Sequence, residues 1–249
     1  MRPTFSFFGT CNRPALWGRV FAALEQNRAD FEVIACGDVA PDFELPPYAR
    51  WIESRAKPAE CAEIAMRECR GELWSILVDD LEYSVGSLDE VVARYAAASD
   101  PDLIVSPLYH NPFDYPGQLP QELTSWAQRF DTRDATSPPI PVQGFIPWHV
   151  ARAIGGFDRR FEAVQMDVDW FMRAQARGSK VEFLRHGVVT ERNDWSVSTA
   201  GGSLSGRYHF QHDRPLVLSM WRRAPEVAFG WERTSPLEPF DFDESGSLS

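Results

Sequence analysis

Short apolar runs alternate with helix-patterned segments over the first hundred residues, and this alternation limits the possible folds of the chain. Four runs have the length and composition of buried strands, namely Thr4–Gly9, Phe31–Cys36, Leu73–Val78 and Leu103–Ser106. The segments between them predict a helix after Pro14, a helix over Ala59–Arg70 and a helix over Ser87–Ala98. Strands and helices that alternate through short connections indicate an α/β fold with a parallel, doubly wound sheet. Ligands of such sheets bind beyond the carboxyl ends of the strands.

The second half of the chain predicts a less regular arrangement. We expect a strand near Val142–Ile146, a helix over Trp148–Ile154, a helix that begins near Asp167, short strands at Val181–Leu184 and Val188–Thr190, and a last helix at Leu216–Trp221. Pro107–Gln121 is rich in Pro, Asn and Tyr and predicts a long functional loop. We find no repeat and no internal boundary, so residues 1–235 predict one domain. The acidic, serine-rich residues 236–249 predict a disordered tail.

Charge and apolar patterning exclude some classes of protein. The 25 Lys and Arg residues against 36 Asp and Glu residues give a formal charge of −11. An acidic chain is poorly suited to bind a phosphate backbone, so we expect no nucleic-acid partner. Met1–Thr10 lacks the pattern of a secretory signal, and no apolar run reaches the ~20 residues of a transmembrane helix. The four cysteines form no C-x-x-C pair and predict reduced, structural thiols, so we expect a cytoplasmic protein.

The adjacent carboxylates Asp79 and Asp80 are the sharpest local feature, because they directly follow a predicted buried strand. Adjacent carboxylates at such a position repel one another unless a cation or a set of hydrogen-bond donors compensates them. Mg²⁺ and Mn²⁺ take oxygen ligands, often a carboxylate or two together with substrate phosphates. The pair is equally compatible with a turn or a helix cap, where Asp is common.

A second acidic motif, Asp167-Val168-Asp169, lies at the start of a predicted helix. Because Asp167 and Asp169 are two positions apart, they point in nearly opposite directions, and only one of them is expected to face a pocket. Acidic residues commonly stabilise the first turn of a helix, and this interpretation is favoured for the motif alone. A carboxylate at that end could also serve as a general base.

Several catalytic signatures are absent from the sequence. It contains no G-x-S-x-G, no Walker-type loop and no G-x-G-x-x-G, which argues against the common hydrolases, kinases and dehydrogenases. The five histidines show no metal-ligand spacing such as H-E-x-x-H.

Taken in order, six motifs resemble family 2 of the glycosyltransferases. Thr10–Pro14 resembles that family's T-Y-N-R-P; Phe31–Ile34 with Asp38 resembles its second strand; Arg70–Asp80 resembles the stretch that ends in D-x-D; Gly144–Phe161 resembles the segment before its E-D motif; Asp167–Asp169 with Arg173 resembles the E-D helix; and Tyr208–Leu216 resembles its closing helix. The resemblance extends from Thr4 to Trp221, and the order and spacing of the motifs make it specific.

The resemblance implies a GT-A type, Rossmann-like α/β sandwich in which helices flank a central, mostly parallel sheet. Residues 1–106 would bind the nucleotide sugar and residues 107–235 the acceptor, which would be a glycan or another hydroxyl-bearing molecule. The implied activity is metal-dependent transfer of a sugar with inversion at the anomeric carbon. By resemblance, Thr10, Asn12, Arg13, Asp38 and Asp79 would contact the nucleotide sugar, Asp80 would bind Mn²⁺ or Mg²⁺, and Asp167 would deprotonate the acceptor hydroxyl.

The sequence departs from the family pattern at three places. The expected D-x-D reads Asp79-Asp80-Leu81-Glu82, so Glu82 could contribute to the metal site. The helix at Cys61–Ile64 lacks the Arg that often contacts the donor, and Met166 replaces the Glu of the E-D pair. For the third metal ligand we favour Glu191, with Asp194 and His186 as alternatives.

Two other functions remain open. A GT-A-fold nucleotidyltransferase would share the sheet and the acidic site, but it would normally carry a Gly-rich, basic loop after the first strand. A non-catalytic sugar-binding module is compatible with the missing Arg and with Met166. Family resemblance does not supply the substrate, and we expect the loops Tyr109–Pro120 and Asn193–Gly206 to select it. Trp126, Trp148 and Trp195 are candidate sugar platforms, although each fits a core or loop role better.

Overall fold

The computed structural model describes residues 2–110, 128–131, 134, 136–141, 143–191 and 209–241. Its strands are β1 (Phe5–Thr10), β2 (Phe31–Gly37), β3 (Ala49–Glu53), β4 (Leu73–Ile76), β5 (Leu81–Tyr83), β6 (Ile104–His110), β7 (Gln128–Arg129), β8 (Pro139–Ile140), β9 (Ile146–Pro147), β10 (Val181–Glu191), β11 (Trp221–Arg223) and β12 (Trp231–Arg233). Its α-helices are α1 (Trp17–Leu24), α2 (Pro58–Arg67), α3 (Ser87–Ala96), α4 (Trp148–Ile154), α5 (Met166–Ala176) and α6 (Arg214–Met220). A 3₁₀ turn, Pro14–Leu16, precedes α1, and a π-helical turn, His209–Asp213, precedes α6.

A five-stranded sheet of order β3-β2-β1-β4-β9 forms the centre of the fold. β1 pairs in parallel with β2 and β4, β2 pairs in parallel with β3, and β9 pairs antiparallel to β4. The predicted α/β class with a mostly parallel central sheet is therefore confirmed. Proline at the first turn of α2 and acidic residues at the start of α3 favour helix initiation at these two connections.

A second, three-stranded sheet has the order β5-β10-β6. β10 is one strand, although two short strands were predicted, and its register against β6 shifts between Phe183 and Val188. β6 was predicted to end at Ser106 but continues to His110. The strand tolerates Pro107 because this residue lies at the register shift, where regular pairing is interrupted and the missing N–H costs no hydrogen bond of the ladder. The first four residues of the predicted loop, Pro107–His110, therefore belong to β6, and residues 111–121 lie outside the described part of the chain.

The central sheet separates two apolar cores, because successive side chains of each strand point to opposite faces. Phe5 and Phe7 lie in the core on the side of α1 and α3, with Val33 and Phe145. Phe8 lies in the core on the side of α2, α4, α5 and α6, with Trp170. Both faces of β1 are thus covered, as expected for a central parallel strand.

The predicted disordered tail begins with residues that pack against the domain. Pro239 bridges to Asp158 in the backbone, the N–H of Glu238 donates to the Asp158 carboxylate at 3.1 Å, and Phe240 is buried. Residues 242–249 lie outside the described part of the chain. Within that part, no helix combines the length and the apolar character that a membrane crossing needs.

Candidate functional site

The carboxyl ends of β1, β2 and β4 converge at one edge of the central sheet. The N–H of Leu77 donates to the carbonyl of Phe8 at 2.8 Å, and the N–H of Cys11 donates to the carbonyl of Cys36 at 3.0 Å. A Cβ at Gly9 would lie 1.9 Å from the carbonyl oxygen of Leu77, so this approach requires glycine. The chain after β1 is thereby brought beside the residues that follow β4.

Arg13 bridges the two predicted acidic residues at this edge. Its Nη2 atom donates to Asp80 Oδ2 at 2.7 Å and also to Asp79 Oδ1, to which Nε donates at 3.0 Å. The backbone N–H of Arg13 donates to Asp79 Oδ2 at 2.9 Å. Three of the residues predicted for the donor and metal site therefore contact one another directly.

Burial and charge act in opposite directions on this cluster. Burial raises the pKa of the Asp79 carboxyl above its ordinary value, and the hydrogen bonds and charge of Arg13 offset part of this effect. Burial also opposes the charged form of Arg13, but the two carboxylates raise its pKa overall. The guanidinium is thus the group that compensates the adjacent carboxylates.

The other predicted nucleotide contacts lie at or just after the carboxyl ends of β1 and β2 and differ in exposure. Thr10 is partly buried, and its hydroxyl donates to the carbonyl of Pro58 at 2.7 Å, which ties β1 to the start of α2. Asn12 and Asp38 are exposed, and they follow β1 and β2 respectively. These two side chains are therefore accessible at the edge of the sheet where the carboxyl ends of the strands lie.

The predicted third metal ligand is described only through its backbone. Glu191 pairs with Leu81 in the β5–β10 ladder, so its backbone lies opposite the residue that follows Asp80. Its side chain lies outside the described atoms, as does Asp194, while His186 is exposed. Among the described residues, no group of three or more His, Cys, Asp or Glu side chains is arranged to hold a metal.

Asp167 lies in the first turn of α5 and is partly exposed. Burial of its carboxyl raises the pKa to about 6 from the ordinary value of 3.8, and backbone N–H groups of the same turn offset only part of this effect. Gln165, which precedes the helix, has a positive φ of 64°, an uncommon conformation for a residue with a side chain. A carboxyl with this pKa can accept a proton at neutral pH, as a general base must.

Asp169, in contrast to Asp167, makes buried contacts that hold the fold together. It is fully buried and accepts hydrogen bonds at 2.9 Å from Arg173 Nε, Trp221 Nε1 and Arg233 Nε. Asp167 is partly exposed and Asp169 is buried, so the two acids lie in different environments, while the prediction that one of them faces a pocket stays a prediction. Met166, at the position of the family's Glu, is buried in the core.

Asp213 is a site-supporting residue that no sequence pattern singled out. Its buried carboxylate accepts hydrogen bonds from three successive backbone N–H groups, those of Glu162, Ala163 and Val164, at 2.9 to 3.0 Å. These groups belong to the loop that leads into α5 and Asp167. An acid between His212 and Arg214 carries no recognisable spacing, so its role emerges only from the tertiary structure.

Of the three predicted aromatic platforms, only Trp148 belongs to the described residues. The guanidinium carbons of Arg2 and Arg152 lie 4.3 and 5.2 Å from the ring centroid of Trp148, so cations already approach this ring. Trp126, Trp195 and residues 193–206 lie outside the described part of the chain.

Comparisons with known proteins give structural neighbours only. No protein-family model matches the sequence, and no curated protein matches it. Among solved structures, residues 1–349 of S. aureus TarS match with a TM-score of 0.60 at 12% identity over 76% of this chain and 60% of that chain. TarS 1–349 in complex with UDP-GlcNAc matches with a TM-score of 0.58 at 12% identity over 83% of this chain and 64% of that chain.

The chain spans only part of these neighbours, and 36% of the longer TarS chain. TarS is a family 2 glycosyltransferase, so the predicted resemblance is confirmed at the level of the fold. The chain has the GT-A-like α/β fold of these glycosyltransferase neighbours.

Proposed function

We propose that the chain is a metal-dependent, inverting glycosyltransferase that moves a sugar from a nucleotide-sugar donor to an acceptor hydroxyl. The observation that carries this proposal is the convergence of Arg13, Asp79 and Asp80 at the carboxyl ends of β1 and β4. Ligands bind at this edge in open α/β sheets. The structural neighbours include TarS in complex with UDP and with UDP-GlcNAc, which makes a UDP-sugar the first donor class to test.

Each residue of the cluster has a chemical role in this proposal. Arg13 would bind the diphosphate through its guanidinium, whose planar fork suits phosphate oxygens. Thr10, Asn12 and Asp38 would contact the nucleoside, and residues 107–235 would supply the acceptor side.

The donor set of the acidic pair fits a hard divalent cation. Asp79 and Asp80 offer carboxylate oxygens, and Mg²⁺ or Mn²⁺ bound by one or two carboxylates usually completes its shell with substrate phosphates and water. Glu191 would approach from β10, where its backbone pairs beside the acidic pair. When bound, the cation would neutralise the charge that develops on the departing diphosphate.

Asp167 would accept the proton of the acceptor hydroxyl while the hydroxyl oxygen forms its bond to the anomeric carbon and the bond to the diphosphate breaks. The raised pKa of its carboxyl suits this role, because a base is most effective when its pKa lies near the working pH. A single displacement of this kind inverts the anomeric centre.

A non-catalytic sugar-binding module is the second candidate, and the pairing of Arg13 with both carboxylates favours it. In such a module the three residues would form a closed structural ion cluster. The two functions differ in whether nucleotide binding depends on a cation and on Asp80.

A thermal-shift screen tests the proposal with UDP-, GDP-, dTDP- and CMP-sugars, each with and without Mn²⁺. We expect one nucleotide class to raise the unfolding temperature of the wild type only with Mn²⁺, and Asp80→Ala to lose this shift. Asp102→Ala is the matched control, because Asp102 is an exposed acid paired with His149 before β6. If no nucleotide shifts the wild type with or without Mn²⁺, the proposed function is wrong.

A further inference from the structure

The cation that compensates the acidic pair is a side chain of the protein itself. Arg13 is three-quarters buried, and its Nη2 atom contacts both Asp79 and Asp80. The side chains of these acids are 6% and 11% exposed. A guanidinium therefore already occupies a position beside both carboxylates that another cation would compete for.

The two acids are held by different numbers of contacts. Asp79 accepts from the backbone N–H of Arg13 at 2.9 Å as well as from the guanidinium, whereas Asp80 accepts from Nη2 of Arg13 at 2.7 Å. Movement of the guanidinium would leave the backbone hydrogen bond to Asp79 intact. When Arg13 turns away, Asp79 therefore keeps one of its hydrogen bonds from Arg13, whereas Asp80 loses its contact with Arg13.

We propose that Arg13 is an internal counter-ion that keeps Asp80 from a free divalent cation and releases it when the diphosphate of a nucleotide sugar offers the guanidinium another anion. This inference rests on the proposed function and specifies how cation and donor binding are coupled. Without the diphosphate, a cation at Asp80 would lie close to a fixed positive charge. With the diphosphate, guanidinium and cation each face an anion.

The coupling has a thermodynamic consequence that does not require turnover. If cation binding must displace Arg13, removal of the guanidinium strengthens the binding of the cation alone. It also reduces the factor by which the nucleotide strengthens cation binding, because the displacement step is no longer needed. Both effects are visible in equilibrium titrations.

Titration calorimetry of Mn²⁺ into wild type and Arg13→Met, without nucleotide, tests whether Arg13 excludes the cation from Asp80. Arg13→Met keeps a long apolar stem and is expected to bind Mn²⁺ at least about tenfold more tightly. Adding Asp80→Asn to this variant is expected to abolish the gain. Arg70→Met is the matched control, because Arg70 pairs with the buried Glu32 at 2.7 Å at the other end of the strands. Its Mn²⁺ affinity should stay within about twofold of wild type.

An Arg13→Met protein that binds Mn²⁺ no more tightly than wild type would overturn the inference, as would a gain that survives Asp80→Asn. If Arg13→Met does not fold, Arg13→Lys decides. A lysine ammonium lacks the planar fork by which Nε and Nη2 together hold Asp79, so it should pair with the acids less firmly, and Mn²⁺ should still bind more tightly than to wild type.

The release of Arg13 to the diphosphate is tested by repeating both titrations with saturating UDP, or with the nucleotide that the thermal-shift screen selects. The nucleotide should strengthen Mn²⁺ binding several-fold less in Arg13→Met than in wild type, and an equal factor would overturn the release of Arg13 to the diphosphate. Absence of nucleotide binding by the wild type would contradict the proposed function and the release step. The titrations with Mn²⁺ alone would still decide whether Arg13 excludes the cation.

Discussion

The carbonyl oxygen of Glu162 accepts a hydrogen bond from the backbone N–H of Ala59 at 3.1 Å, and this contact joins the two halves of the candidate site. Ala59 follows Pro58, whose carbonyl accepts from Thr10. Glu162 belongs to the loop that leads to Asp167 and also pairs with Lys57 at 2.7 Å. The end of β1 and the start of α5 are thus connected through a short series of hydrogen bonds.

Asp213 fixes this loop from the other side, so we predict that Asp213→Asn loosens it. An amide has one acceptor oxygen and a donor NH₂ group, so it cannot replace a carboxylate that accepts three backbone N–H groups. We expect a loss of about 2–3 kcal/mol in the free energy of unfolding. Hydrogen exchange of the amides of residues 162–164 should accelerate.

Asp241→Asn is the control for this experiment, because Asp241 is 74% exposed and its pairing with Arg159 is solvent-screened. Unchanged exchange at residues 162–164 in Asp213→Asn would show that Asp213 does not hold the loop.

Asp167→Asn is predicted to stabilise the protein above pH 7. The native pKa of Asp167, about 6, is higher than its ordinary value of 3.8, so the native state disfavours the charged carboxylate. This penalty is fully present above the native pKa and absent below the ordinary one. Allowing for partial exposure, we expect a gain of about 1–2 kcal/mol at pH 8 and none at pH 3.5, measured by urea unfolding. A loss of stability at pH 8 would mean that the carboxylate has a structural role.

Asp169→Asn, two residues further along the same helix, is predicted to have the opposite effect. It removes the charge that compensates the buried Arg173 and Arg233, to which Asp169 is paired at 2.9 Å. We expect a loss of about 3–5 kcal/mol in the same urea unfolding experiment. Nucleotide binding by the fraction that remains folded should be retained, and a selective loss of binding would place Asp169 in the site.

The proposed base gives the transfer reaction a defined pH dependence. Protonated Asp167 cannot accept the acceptor's proton, so the rate should fall about tenfold per pH unit below pH 6. The measurement is the pH profile of kcat/KM for transfer with an identified donor and acceptor. Asp167→Asn should be slow at every pH and lack this acidic limb. A wild-type limb near pH 4 would argue against Asp167 as the base.

Gly9→Ala is predicted to disrupt the edge where the site forms. The new Cβ would lie 1.9 Å from the carbonyl oxygen of Leu77, and a backbone atom cannot move aside without separating β1 from the chain that leads to Asp79. We expect a loss of more than about 3 kcal/mol or failure to fold. Gly18→Ala is the control, since a Cβ at Gly18 meets no atom within 4 Å. Equal stability of the two variants would contradict this packing.

The parallel sheet and the order of its first elements could be predicted because their strands are continuous apolar runs. β3 escaped prediction because most of its residues, such as Arg50 and Trp51, are half-exposed and give no apolar run. β10 was predicted as two strands because Arg185 to Gly187 interrupt its apolar pattern, although the strand continues past a register shift.

The candidate site was predictable only in part, because a sequence pattern shows neighbouring residues but not contacts between residues far apart in the chain. Asp79 and Asp80 were identified because they are adjacent in sequence and follow an apolar run. The pairing of Arg13 with both acids joins residues 66 and 67 positions apart. Asp169 accepts from Arg233, 64 positions away, and Asp213 accepts from the N–H of Glu162, 51 positions away. No local pattern therefore distinguishes these structural acids from Asp167.

A crystal structure with Mn²⁺ and the nucleotide selected by the thermal-shift screen tests the central claim most directly. We predict an anomalous Mn²⁺ peak at Asp80, with the diphosphate between the cation and a guanidinium of Arg13 that has left Asp80. A nucleotide bound elsewhere on the molecule, with Arg13 still paired to Asp79 and Asp80, would contradict the account.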